Sequence, residues 1–306
     1  MDTARPSYGR RRITGARRRG ALWLFVVAVI GGGVGSSVSR AQGIRVVSQT
    51  VGTDELLLAV AEPEQIAALS HIAHEPSFSA VAEAARAYPM IEVGDVETIL
   101  KYRPTLVLGA DYSRGELMAQ VERAGVKVMR FTRYETLDDA FANLRWLAQA
   151  LGPKAEAKAE AVIAAVAARG EQLRRRLADV DRVKVIAPST YGVIGGAETT
   201  FQDLCDHAGA ENLAATWGGL VGHAPTPREQ MLTWPVERVV VAGEDRASAL
   251  APYARIPPYQ FMAAVKEGRV ALIESYMLSS VSHHRMEGYE RLARELHPDL
   301  FGEEPK

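Results

Sequence analysis

Beyond residue 42 the chain opens with short apolar runs, "IRVVSQT", "LLLAV", "IAAL", "TLVLGA" and "VKVMRF", parted by polar or turn-forming stretches. Runs of this length bounded by such stretches predict buried strands with helices in the connections, hence an α/β lobe on a largely parallel sheet over residues 42–134. The strand pattern then vanishes from 135 to 179. Thr136 with Asp139 predicts an N-cap followed by an acid in the first turn, and Gly152 with Pro153 stops one helix and starts another. The second helix, Pro153 to Leu177, is rich in Ala, Glu, Lys and Arg and would run about 35 to 40 Å, enough to bridge two lobes. Strand runs return over 180–306 with "VKVIAP", "ERVVVAG" and "VALIES". A last helix carries Met286, Tyr289, Leu292, Ala293 and Leu296 on one face. The predicted fold class is two α/β lobes with central, mainly parallel sheets joined by a long interlobe α-helix.

The first 41 residues follow different rules. Arg10–Arg12 and Arg17–Arg19 precede the 14-residue apolar run "ALWLFVVAVIGGGV", and small residues follow it. That order predicts a signal peptide cut after Ala41 and a mature protein in a periplasm-like compartment; the run is short of the roughly 20 residues that span a bilayer. Removing it changes the charge picture. The 36 basic and 37 acidic residues of the whole chain become 28 and 36, a net charge of −8. An acidic chain without a basic run excludes nucleic acid as the expected partner. The single cysteine, Cys205, falls with Phe201, Leu204 and Ala208 on one apolar helix face ended by Gly209, which predicts a core residue rather than a nucleophile.

Candidate chemistry starts with "ALSHIAHEPSFSA". His71 and His74 are three residues apart, a spacing zinc sites use, but no third and fourth ligand stand at a recognisable distance. Their place after a strand leaves three readings open: a cleft contact, a solvated loop and a metal site. In "SYMLSSVSHHRMEGY", Ser282 is expected to cap the last helix with His283 and His284 in its first turn, while Tyr276 and Met277 offer larger contact surfaces. No G-x-S-x-G, P-loop or dinucleotide fingerprint occurs; "GVIGG", Gly192 to Gly196, lacks the acidic partner of the last. Glu97 opens a helix that leads into a strand. Glu229 is expected to do the same, in a capping box with Thr226 and with Pro227 at the first helical position.

Five segments in one order, "VGDVETILKYRPTLVLGADYSR", "AGVKVMRF", the long helix, "TTFQDLCDHAGAENLAA" and "TPREQMLTWPVERVVVAG", resemble the periplasmic substrate-binding proteins of ABC importers for ferric siderophores, haem and cobalamin. Two departures stand at strand entries: Thr105 replaces the usual Asp, and "TWPVERVVVAG" lacks the second Pro-Asp. The resemblance implies a binder rather than an enzyme, a monomer that captures a small metal chelate between its lobes and docks on a permease dimer with its ATPase. It implies ligand contacts from the His71 and His74 loop, Tyr112, Arg114, Tyr191, Trp217, Tyr276 and His283, and permease docking by Glu97 and Glu229. No resident cofactor is expected; the chelate is cargo. Rival expectations are a zinc or manganese binder using His71, His74 and one of His223, His283 or His284, and a chelatase-like enzyme on a similar scaffold.

Overall fold

The computed structural model describes residues 43–302. The signal-peptide expectation for residues 1–41 falls outside them. Among the described residues no helix is long and apolar enough to cross a membrane.

The first lobe is built on five parallel strands, β1 (Val46–Ser48), β2 (Ile66–Ser70), β3 (Met90–Ile91), β4 (Leu106–Ala110) and β5 (Lys127–Phe131). Their spatial order is β3-β2-β1-β4-β5. The inner strands β1, β2 and β4 are buried at every position, which is why they read as unbroken apolar runs rather than alternating ones. One run departs from expectation. "LLLAV" is no strand but the second half of a helix, Val51–Val60. Thr50 caps that helix by accepting from the Thr53 amide, in a capping box. The helix is buried on several sides, so apolar residues surround it and its period cannot be told from a buried strand's.

The second lobe carries a parallel sheet of β6 (Val183–Ile186), β8 (Ala210–Asn212), β10 (Arg238–Ala242) and β11 (Val270–Ile273), in the order β11-β10-β6-β8. A two-stranded antiparallel ladder, β7 (Val193–Gly195) with β9 (His223–Pro225), stands beside it. Gly196, next to that ladder, cannot bear a side chain: a Cβ there would lie 2.2 Å from the Leu220 carbonyl oxygen. The helix Thr200–His207 buries Phe201, Leu204 and Cys205 as its period predicts. The C-terminal helix, Arg285–Leu296, likewise buries Met286, Tyr289, Leu292, Ala293 and Leu296.

Two helices join the sheets. The first, Leu137–Leu151, has the predicted Thr136 cap, and the Thr136 amide in turn donates to Asp139 Oδ2. After Gly152 the bridging helix Pro153–Arg176 runs 24 residues, about 36 Å. Ala155, Ala159 and Ile163 pack into the core of the first lobe with Leu57, Leu144 and Leu147. Val166 and Leu173, further along the same stripe, pack into the second with Val185, Val240 and Tyr289. One helix therefore contributes to both cores, and residues 43–302 form one compact unit.

Candidate functional site

In an open parallel sheet the crevice for a ligand lies outside the carboxyl ends of the strands, where the strand order reverses. In the first sheet that point lies between β1 and β4, since β1 pairs with β2 on one side and β4 on the other. A cavity of about 330 Å³ sits there. Gln49 and Thr50, just past β1, and Tyr112 and Arg114, just past β4, line it over a floor that includes Leu117 and Met118. Arg114 lies across Gly94, where a Cβ would be 3.3 Å from its Nη2, and it faces a second cavity of about 380 Å³ on its other side. A guanidinium so placed can anchor a carboxylate or hydroxamate by paired hydrogen bonds. The ring of Tyr112 meets that of Tyr134, past the neighbouring β5, edge to face at 5.5 Å. Tyr134 donates to Asp111 Oδ1 at 2.9 Å, and its hydroxyl is pushed up to about 12, by burial first and then by that acceptor.

The second sheet reverses between β6 and β10, and aromatic residues mark that point too. Tyr259, buried past β10, accepts from the Ser189 amide past β6 at 3.2 Å and thereby ties the two loops together. Tyr253 stands edge-on to Tyr259 at 5.6 Å. Tyr191, in the β6 loop, is 90% exposed. The carboxyl ends of the two sheets also approach each other. A cavity of about 390 Å³ is lined by Pro76 and Ser77 from the loop past β2, and by Gly243, Glu244, Glu274, Ser275 and Tyr276 from the loops past β10 and β11.

A buried polar cluster lies beneath. Asp54 accepts from the Ser70 amide and hydroxyl at 3.1 and 2.5 Å, and burial pushes its carboxyl up to about 7. Glu55, also raised by burial, accepts from the Ala80 amide and from Ser282 Oγ. His284 shares Glu287 with the Tyr276 hydroxyl, at 2.9 and 2.8 Å. Burial alone would lower the His284 imidazole, but the bond to Glu287 and the nearby carboxylates raise it. His283 is pushed down to about 3, by burial first and then by the neighbouring His284, which the Glu287 charge offsets only in part.

The structure brings some of the expected residues together and separates others. Tyr112 and Arg114 share one cavity, with Ile72 of the histidine loop on its wall. His71 is exposed on the short helical turn His71–His74, whereas His74 keeps a buried Nε2 without a partner. Tyr276 is half-buried and bound to Glu287. His283 is only 8% exposed, so it lies beneath the cleft surface rather than on it. The expected Ser282 cap is corrected in part: the helix starts at Arg285 with His284 at the cap position, while Ser282 Oγ accepts from the His284 amide at 3.1 Å and donates to Glu55. Trp217 is exposed in the turn after the helix Leu213–Thr216. Glu97 occupies the first turn of the helix Val96–Lys101, but the capping side chain is Asp95. The box expected at Thr226 and Glu229 does not form: only a 3-10 turn, Gln230–Thr233, comes after them, and Thr226 Oγ1 is buried without a partner. Glu229 is exposed beside it. Among the described residues no three His, Cys, Asp or Glu side chains gather as a metal site would require. Tyr134 and Tyr253 went unnoticed in the sequence; for Tyr134 the signal was its place just past the end of β5, whereas Tyr253 stands beyond the helix Arg246–Leu250 and carried no such signal.

Two parallel sheets, a crevice at the first switch point and one helix shared between two cores make up a two-lobe α/β architecture. The chain belongs to the periplasmic binding protein family, whose sequence profile matches residues 46–277. Solved structures agree in fold. The periplasmic haem-binding protein RhuT from Roseiflexus sp. RS-1 is 22% identical with a TM-score of 0.72, over 84% of this chain and 99% of that one. A periplasmic haem-binding protein from Pseudomonas aeruginosa is 21% identical with a TM-score of 0.70, over 83% and 92%. The haem-binding protein HutB of Vibrio cholerae is 18% identical with a TM-score of 0.68, over 83% and 99%. No curated protein matches the chain.

Proposed function

We propose that this protein is the periplasmic solute-binding component of an ABC importer, which captures a metal chelate (a ferric siderophore, haem or cobalamin) between its lobes and hands it to a permease. The observation that carries the reading is the Arg114 and Tyr112 crevice at the first switch point, beside a cavity that loops of both sheets line together. Both are preformed. The haem-binding proteins of the same fold support the choice of cargo class, and the family supports binding rather than turnover.

Arg114 anchors an acidic group of the chelate, while Tyr112 and Tyr191, with His71 and Trp217 at the margins, cover its apolar faces. The shared bridging helix favours a bulky, rigid chelate over a small solute that must be engulfed. Glu97 and Glu229, one exposed on each lobe, are the proposed docking acids. The test is titration of the purified protein with haemin, cobalamin and a ferric hydroxamate, monitored by absorbance and melting temperature. Saturable micromolar binding of one of them, weakened at least tenfold by Arg114→Ala, is expected. Binding of none would overturn the reading. Glu97→Ala with Glu229→Ala should abolish uptake in cells and leave affinity unchanged; lost affinity would refute the docking role.

A further inference from the structure

The segment between β11 and the C-terminal helix crosses from the second lobe to the first and is held there by three different kinds of contact. Ser282 Oγ donates to Glu55 Oε2 at 2.5 Å, while Glu55 Oε1 accepts from the Ala80 amide at 3.0 Å. Val281 sits in a notch that exists only because residue 52 is glycine: a Cβ on Gly52 would stand 2.3 Å from Val281 Cγ2. Arg285 then stiffens the segment from its far end. Its guanidinium donates to the carbonyls of Tyr134, Glu135 and Ser280 and to Asp203 Oδ2, at 2.7 to 2.9 Å, and it is almost wholly buried.

These contacts share a property that ordinary lobe packing lacks. Apolar surfaces tolerate small slides, but a buried carboxyl group that loses a donor is left with an unsatisfied polar atom. Glu55 is 2% exposed, and one of its two donors belongs to the opposite lobe. The Gly52 notch adds a steric register, since Val281 fits it at one separation only.

We propose that Ser280–Arg285 is a clasp which fixes the separation of the two lobes, with Glu55 as its catch, and so sets the width of the ligand cleft. Its part in holding cargo rests on the reading given under Proposed function; its effect on lobe separation does not. The clasp lies below the crevices, and none of its residues needs to touch the chelate.

The experiment is a distance measurement between spin labels on Arg123→Cys in the first lobe and Lys266→Cys in the second, both exposed positions. Cys205 is fully buried and stays unlabelled. Ser282→Ala, Glu55→Ala and Gly52→Val should each broaden or lengthen the distance distribution in the ligand-free protein. Glu55→Gln should keep the parent distribution, because its amide still accepts from Ala80 and donates to Ser282. Ser282→Ala removes one hydroxyl and leaves the core volume, so it serves where Glu55→Ala does not fold. Parent-like distances in folded Ser282→Ala and Gly52→Val would overturn the clasp. With haemin as probe, transfer to apomyoglobin should be about tenfold faster from Ser282→Ala, as losing a hydrogen bond to a buried carboxylate predicts. Changed distances with unchanged transfer would overturn the link to cargo. Haemin that never binds would count against the haem reading alone, while the distances still judge the clasp.

Discussion

Asp54 and His283 are both buried, yet they pull stability in opposite directions as pH changes. The Asp54 carboxyl is raised from 3.8 to about 7, so the fold prefers it protonated. Its contribution is complete below about pH 4 and is lost as pH rises through 7. The His283 imidazole is lowered from 6.5 to about 3, so the fold prefers it neutral. Its contribution is complete above about pH 6.5 and is lost as pH falls toward 3. The parent protein should therefore show a shallow profile between pH 4 and 7, and each single variant should uncover the other slope. Melting temperature should climb with pH in Asp54→Asn and fall with pH in His283→Gln, by several degrees in each case. Parallel profiles for the two variants would contradict the assignment. The burial of neither group was legible in the sequence. Asp54 and Glu55 stand in "TDELLLAV" as if at the wet start of a helix, and their burial depends on Ser70 and Ser282, which lie 16 and 227 residues away. Tyr112 and Arg114 were easier, since each comes just after a strand readable from its own run of apolar residues.

At the scale of elements, the N-cap read at Thr136 forms and the capping box read at Thr226 does not. Thr136 has its reciprocal partner Asp139, and the helix Leu137–Leu151 packs Leu144 and Leu147 into the first core. Thr136→Ala should cost about 1 kcal/mol, read as a lowered melting temperature. Thr226 has a similar setting in sequence but no helix to cap, and its hydroxyl is buried without a partner. Thr226→Val should therefore be neutral or stabilising in the same assay, since it removes an unsatisfied polar atom while keeping the shape. The residues C-terminal to each cap decide between the two. An amphipathic run of 15 residues can bury a stripe, whereas the four-residue turn Gln230–Thr233 buries only Met231. Most strands were legible for a related reason: parallel strands covered on both faces have no wet side to interrupt the apolar run. The same logic misread "LLLAV", because a helix buried on several sides has no wet side either.

For the whole molecule, the alternation of strands and helices predicted two lobes, and the cluster of Ala and charged residues predicted the helix between them. The pairing order of the strands was not legible, and with it went the positions of the switch points and the meeting of Tyr112 with Tyr134 and of Tyr253 with Tyr259. Those contacts depend on which strands become neighbours, a property of the assembled sheets rather than of any local pattern. The bridging helix ties the two hydrophobic cores into one structural unit, so the lobes are expected to unfold together. Cys205 offers a way to time that event. It is the chain's one thiol, fully buried against the C-terminal helix, and burial pushes its ionisation well above the usual range. A thiol reagent should thus be blind to the native protein and react only at the moments when the second core comes apart. With reagent in enough excess to outrun reclosing, its rate of modification should equal the unfolding rate read from Trp146 fluorescence in a variant whose other tryptophans are replaced by Phe. Cys205 is then a clock for the whole chain, set by the protein itself.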